Sequence, residues 1–447
     1  MSCEIDDMQR LCLLLGLILI LHCGCSGKRV SDISINSSGV AIQGETPQLP
    51  ETDWPGWRGA RGDGTTTDRP LVTTWSETEN VLWIADIPGR GNSSPIVVGQ
   101  TVYLATAMER DKQQLVVAYD LETGNQLWST VVRQGGFPTA QQMHPKSTNA
   151  NGTLACDGER IFGAFLGEDS ITAFALDLEG NSIWSKQVGN FVSKFGYAPS
   201  VQIYRSALIV SADHQGGGYL AALDRETGDI GWRINRPAKS SYSTGRVVQV
   251  AGSDQLIISG AGKVISYDPQ TGEETWRADG TASATCGTVV ANSTHVFASG
   301  GFPESQTISI AADGSGEVKW SKRVKLYEPS LLLTDDLLFG VTDKGIAYCW
   351  SADRGTELWK QRLQGSFSAS PVLVNGLIYV TNNNGLTFVF RATGDSYQEI
   401  SRNQLGNEAF ASLAIADSKI LARVVRRDGT KSEHLYCIGG DAEAVAP

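Results

Sequence analysis

One phrase recurs along the chain and constrains its fold more than any other feature. Ala118-Tyr-Asp120-Leu-Glu-Thr123-Gly124-Asn-Gln-Leu-Trp128 returns as Ala222-Leu-Asp224-Arg-Glu-Thr227-Gly228-Asp-Ile-Gly-Trp232 and as Ser266-Tyr-Asp268-Pro-Gln-Thr271-Gly272-Glu-Glu-Thr-Trp276. Weaker copies place Asp177 and Gly180 before Trp184, Gly316 before Trp320, and Gly355 before Trp359. A seventh, Phe388-Val-Phe390-Arg-Ala-Thr393-Gly394, keeps the turn and puts Gln398 where Trp is expected, while Trp83 precedes them all with no such turn ahead of it. From Trp83 through Trp128, Trp184, Trp232, Trp276, Trp320 and Trp359 to Gln398 the steps are 45, 56, 48, 44, 44, 39 and 39 residues. Such a period accommodates four short strands and their turns, the size of one propeller blade. Alternating apolar runs inside each unit agree with strands.

Each residue of the phrase has a physical task. Asp accepts hydrogen bonds from the turn's own backbone, and Gly tolerates the positive φ that closes it. Four residues on, Trp occupies the outer strand and lies flat against the next unit. One blade cannot cover both of its faces, so repeated Trp placement predicts stacking of neighbours. Eight docking positions predict an all-β, eight-bladed β-propeller over residues 51–440. Asn80-Val-Leu-Trp83-Ile-Ala precedes any complete unit, and the region from Ala409 to Ile438 supplies about three strands. The simplest closure therefore has the N-terminal strand complete the last blade, which removes an exposed edge. A seven-bladed ring is the alternative if the copy at 388–398 is not a blade.

Leu11 to Leu21 is an apolar run too short to span a bilayer as a helix. Followed by His22-Cys23-Gly24-Cys25-Ser26, it reads as a signal peptide over 1–25 with Cys25 as a lipid-modified cysteine. His22 and the acidic residues before Met8 depart from that pattern. A plain signal peptide cut near Gly24, or an uncleaved anchor, is the alternative. Residues 26–50 have the composition of a flexible tether, and 441–447 form a tail. Cys156, Cys286, Cys349 and Cys437 are far apart and form no CxxC, so they read as buried filler and not as metal ligands. With 37 Lys and Arg against 48 Asp and Glu, the net charge of −11 disfavours a sequence-independent nucleic-acid binder.

The Ala-x-Asp-x-x-Thr-Gly-x-x-x-Trp repeats resemble the tryptophan-docking repeats of PQQ-type, quinoprotein-like eight-bladed propellers. Asp53-Trp-Pro-Gly-Trp57-Arg58-Gly59 is similar to the segment that opens many members. The short loops and the signal-plus-tether start are most similar to the BamB-like envelope lipoproteins of that family. That branch implies a non-catalytic, monomeric binding or scaffold protein of the cell envelope. It implies a membrane, most simply the outer one, reached through Cys25, and partners among envelope proteins such as the barrel-assembly machinery. The other branch implies a PQQ-dependent dehydrogenase with Ca²⁺ and a carboxylate base. The mature chain lacks the adjacent Cys-Cys pair and haem motif often found there. A ligand- or polymer-sensing propeller is a third class.

Loops leading into the innermost strand and those between second and third strands share one face of such a ring. The former are small and polar, as in Gly91-Asn-Ser-Ser-Pro95, Tyr242-Ser-Thr-Gly245, Thr285-Cys-Gly-Thr288 and Phe367-Ser-Ala-Ser-Pro371. Arg90, Lys146, Lys194, Lys239 and Glu328 stand beside them, and Asp213-His214 belong to the second set. Together these are candidates for a channel mouth that receives an anionic ligand or acidic partner. No catalytic residue or metal site is expected. His144 lacks an evident acid or nucleophile, and a lone loop histidine such as His214 is ordinarily solvated.

Overall fold

The computed structural model describes residues 39, 41–67, 70–334 and 336–440. The expected signal segment with Cys25, the first part of the tether and the tail 441–447 lie outside the described residues. Eight sheets form the ring, and blades 1 to 8 start at the inner strands Ile96–Val98, Ala155–Cys156, Gln202–Tyr204, Arg246–Val250, Val290–Ala291, Leu332–Leu333, Val372–Val374 and Ala414–Ala416. The first seven run outward in chain order. In blade 8 the outermost strand is Val81–Ile87, antiparallel to Thr430–Ile438, with Trp83 opposite Cys437. The chain thus closes the ring with its N-terminal strand.

The repeated phrase does what its chemistry predicts. Asp120 Oδ1 accepts the Thr123 amide at 2.8 Å, Asp224 Oδ1 that of Thr227 at 2.9 Å, and Asp268 Oδ1 that of Gln270 at 2.7 Å. The glycine has a second task, invisible in the turn alone. A Cβ on Gly124 would lie 2.5 Å from the indole of Trp83, and one on Gly228 would lie 2.6 Å from that of Trp184. Trp lies on the glycine of the next blade. Its indole N–H then donates to the carbonyl beside the turn aspartate, Trp83 to Leu121 at 2.8 Å, Trp128 to Leu178 at 2.9 Å and Trp184 to Arg225 at 2.9 Å.

Three positions depart from this pattern, one of them Trp359, which donates to the Thr393 carbonyl of blade 7 at 2.7 Å. Trp276 donates to Gln255 Oε1 at 2.6 Å, and Gln255 Nε2 passes the bond to Ala312 O of blade 5 at 3.0 Å. The turn of blade 5 carries two glycines, Gly314 and Gly316, and the glutamine bridges the difference. In blade 7 the residue in register with the docking tryptophans is Ser401 and not Gln398, because Val389 pairs with Ser401 and Phe390 with Glu399 across the bulge. The turn before this strand is longer, which the assignment of Gln398 overlooked. Ser401 Oγ donates to the Thr73 carbonyl, so the lead-in to blade 8 takes the place of an indole contact.

The N-terminal segment is the largest addition to the repeat. The last part of the expected tether is docked: Ile42 is buried, the Gln43 amide donates to Ser206 Oγ at 2.9 Å, and the Arg205 amide donates to Thr46 Oγ1 at 3.1 Å. Residues 52–66 then cross the axis. Trp54 bridges Val97 of blade 1, the Cys156 amide of blade 2 donates to Pro55 O at 2.8 Å, and Thr65–Thr66 run parallel to Leu373–Val374 of blade 7. Blades 4, 5, 6 and 8 are reached through Arg246, Thr288, Leu331 and Asp417. Residues 52–66 therefore bond to seven blades and plug the channel, and Gln43 and Thr46 just before them add the bonds to blade 3.

Candidate functional site

Above the plug, Ser94, Thr244, Thr288 and Ser370 of the small polar lead-ins noted in the sequence form a belt around the axis. Thr153, Ser200, Ser330 and Ser412, which the sequence did not single out, complete it. The amides of Ser94, Thr153 and Ser200 donate to Thr153 Oγ1, Ser200 Oγ and Thr244 Oγ1 at 3.2, 3.0 and 3.0 Å. Those of Thr288, Ser330, Ser370 and Ser412 donate to Ser330 Oγ, Ser370 Oγ, Ser412 Oγ and Ser94 Oγ at 3.0, 2.9, 2.9 and 3.0 Å. Each hydroxyl thus satisfies the buried amide of an adjacent blade. At the remaining position Thr288 Oγ1 accepts the indole N–H of Trp57 at 2.8 Å, tying the plug into the belt.

A funnel of about 460 Å³ opens above this floor, within the size range of small-molecule and peptide-side-chain pockets. Its wall is largely aromatic: Phe195, Tyr242, Phe302, Tyr327 and Phe410 line it. Phe302 is 62% exposed and Phe195 40% exposed, which is unusual for side chains of that size. His144 meets Phe195 edge-on at 5.8 Å between centroids, and the Lys194 ammonium lies 5.2 Å from the Phe195 ring.

An ion pair crosses the mouth. Lys146 Nζ lies 2.9 Å from Glu328 Oε1 and donates to Ser368 Oγ at 3.4 Å. Lys146 comes from the connection between blades 1 and 2, Glu328 from that between blades 5 and 6, on opposite sides of an eight-membered ring. Neighbours hold both ends: Asn92 Nδ2 donates to Lys146 O at 2.8 Å, and the Tyr327 and Glu328 amides each donate to the Asp343 carboxylate at 2.9 Å. The pair is partly solvated and contributes about 0–1 kcal/mol, so an incoming carboxylate or ammonium can displace it at little cost.

Lys146, Lys194 and Glu328 are therefore brought together, and the other candidates are not. Arg90 is held by a backbone bridge to Ala107, and Lys239 is exposed outside the funnel wall. Asp213 is buried in a bidentate ion pair with Arg236 at 2.6 and 2.9 Å, and Arg236 also donates to Tyr267 OH of blade 4 at 2.8 Å. His214 is buried, not solvated, between Phe191 and Tyr219 at 4.8 and 6.0 Å. Its Nδ1 accepts the amides of Val192 and Gly216, each at 3.1 Å. The aromatic wall was missed because Phe195, Phe302 and Phe410 sit in loops of unrelated sequence.

Burial pushes the His214 imidazole down to about 4. The unfolded chain, with its histidine near 6.5, binds the proton more readily. The His214 contribution to stability is therefore complete above about pH 6.5 and falls away as pH drops toward 4. Its ring resonances are expected to stay neutral down to pH 5 in an NMR titration, whereas an exposed histidine is half-protonated near 6.5.

PQQ with Ca²⁺ needs a hard cation site of six to eight oxygens and a free carboxylate base. Among the described residues lining the funnel, Glu328 is the single carboxylate, and Lys146 holds it. No group of three or more His, Cys, Asp or Glu converges among the described residues. Cys286, also in the wall, has its thiol pushed up by burial and stays protonated. The funnel does not fit that cofactor's donor set.

Tryptophan-docked blades, closure by the N-terminal strand and a plugged axis define an eight-bladed propeller of the quinoprotein-like class. The chain belongs to the family described as outer membrane protein assembly factor BamB, whose model matches residues 63–191, 146–361 and 315–422. It is 22% identical over 351 residues to the outer membrane protein assembly factor BamB of Yersinia pestis, covering 75% of this chain and 82% of that protein. The BamB structure from Moraxella catarrhalis superimposes with a TM-score of 0.58 at 14% identity, over 82% of this chain and 99% of that one. A europium-containing methanol dehydrogenase superimposes with a TM-score of 0.66 at 11% identity, over 88% and 99% of the two chains. At these identities the structural likeness speaks for the fold alone.

Proposed function

We propose that this chain is a non-catalytic scaffold of the cell envelope, held at the outer membrane through Cys25, that assists outer-membrane protein assembly by binding a protein partner at the funnel. The observation that carries this reading is the exposed aromatic wall of Phe195 and Phe302 beside the displaceable Lys146–Glu328 pair. Exposed aromatic anchors rimmed by separable charges suit an apolar side chain flanked by a carboxylate or an ammonium, whose docking would remove the rings from water. The rigid, plugged ring supplies the platform. Membership of the BamB family supports assembly work, and the funnel's donor set supports action without PQQ and Ca²⁺.

Photocrosslinking from position 302 in intact cells, followed by mass spectrometry, tests the proposal. Barrel-assembly proteins are expected among the products, and the paired substitution Phe195→Asp with Phe302→Asp is expected to reduce their yield at least tenfold without unfolding the ring. Recovery of no envelope protein, with a tightly held small molecule in the purified chain, counts instead for a sensor role, for which the funnel volume is the supporting observation.

A further inference from the structure

Beneath the hydroxyl belt the axis carries more positive charge than its neighbours neutralise. Arg58 of the plug is 3% exposed, and Arg246 of blade 4 is 9% exposed. Arg58 Nη2 donates to the carbonyls of Asp63 and Leu331, the second at 2.7 Å. Arg246 gives Nη2 to Arg61 O at 2.5 Å and Nη1 to Val289 O at 3.4 Å. All four acceptors are neutral. The carboxylate close enough to act on both is Asp63, and its Oδ1 already accepts the Thr65 amide and hydroxyl at 2.8 and 2.7 Å. Two guanidinium charges thus share one carboxylate. Arg58 Nε and Nη1 and Arg246 Nε are buried with no hydrogen-bond partner. A buried charge left in that state is expensive.

The space beside Arg58 matches this deficit. A void of about 10 Å³ is bounded by Arg58, Trp54, Trp57, Ser94, Ser370 and Ser412. That is room for one particle of about the size of a water. The three serine hydroxyls accept the amides of Ser412, Ser330 and Ser370 in the belt, which leaves their protons free to turn into the void. The polar side chains around it therefore offer donors. A water there brings two protons of its own to a wall of donors, whereas an anion needs donors and supplies the missing charge.

We propose that this void is a monatomic-anion site, filled by chloride, in which the Arg58 guanidinium and the hydroxyls of Ser94, Ser370 and Ser412 hold the ion and lock the plug to blades 1, 7 and 8. Burial that drags the Arg58 guanidinium down to about 9 agrees with a charge lacking a counterion. The void lies under the funnel floor and shares Trp57, Ser94 and Ser412 with it, but the proposal does not depend on the proposed envelope role.

The full chain, melted in sodium chloride or sodium bromide against sodium gluconate at constant ionic strength, is expected to show a saturable rise in midpoint of about 2 °C with either halide and none with gluconate. Crystals grown in bromide are expected to give an anomalous peak between Arg58 and the three serines. Arg58→Met should abolish both signals. Should that variant fail to fold, Ser94→Ala with Ser412→Ala keeps the guanidinium and removes two donors, and its halide titration midpoint is expected to move at least tenfold higher. Equal midpoints in chloride and gluconate, an ordered water at the position in bromide crystals, or an unchanged halide titration in the serine variant would overturn the proposal.

Discussion

Replacing Arg423 by Met is expected to destabilise the ring by about 3–5 kcal/mol, read as a lower urea midpoint at unchanged slope. Arg423 lies in Lys419–Asp428 of blade 8, and Glu433 lies in the adjacent Thr430–Ile438. Arg423 Nε and Nη2 each lie 2.7 Å from Glu433 Oε2, and Nη1 donates to Ala105 O of blade 1 at 2.8 Å. Glu433, 4% exposed, also accepts the Gly91 amide at 3.1 Å. The pair thus joins the last blade to the first, where the chain closes on itself. Removing the guanidinium leaves a buried carboxylate facing one amide. The double substitution Arg423→Met with Glu433→Leu removes both charges and is expected to recover most of the loss. A single substitution that costs under about 1 kcal/mol would show that closure does not depend on this pair.

The second large effect concerns the docking glycine. Gly124→Ala is expected to cost about 2–4 kcal/mol, against about 1 kcal/mol for Gly99→Ala. Both have positive φ, +72° and +56°, so each substitution strains the backbone. They differ in surroundings. A Cβ at Gly124 meets the Trp83 indole at 2.5 Å, whereas at Gly99 nothing lies within 4 Å. The difference between the two urea midpoints therefore isolates indole docking from turn strain. Equal losses would mean that the indole is not seated on this glycine.

How far each feature was legible follows from the range of the interaction behind it. The Asp-x-x-Thr-Gly turn is local chemistry and reads directly from residues such as Asp224 to Gly228. Trp placement reads almost as well, because the period repeats, yet Ser401 shows where counting fails. A longer turn before the outer strand of blade 7 moves the register without leaving a mark on the motif. Ser94 and Ser370 were recognisable as small polar lead-ins, while their linkage through Ser412 into a belt around the axis needs eight blades in place. Of the candidate mouth residues, Lys146, Lys194 and Glu328 converge because their loops descend toward the axis. His214 turns inward onto Phe191 and Tyr219, where packing outweighs hydration of a neutral ring.

The amino-acid sequence determined the blade, its turn, its docking indole and the number of repeats, because each depends on residues a few positions apart or on a period. The tertiary structure decided that the Trp54 to Thr66 segment plugs the channel, that Lys146 meets Glu328 across the mouth, and that Phe195 and Phe302 share one wall. Those contacts join loops far apart in the chain, and no local preference encodes them. They exist because closure of the ring fixes where every loop must end.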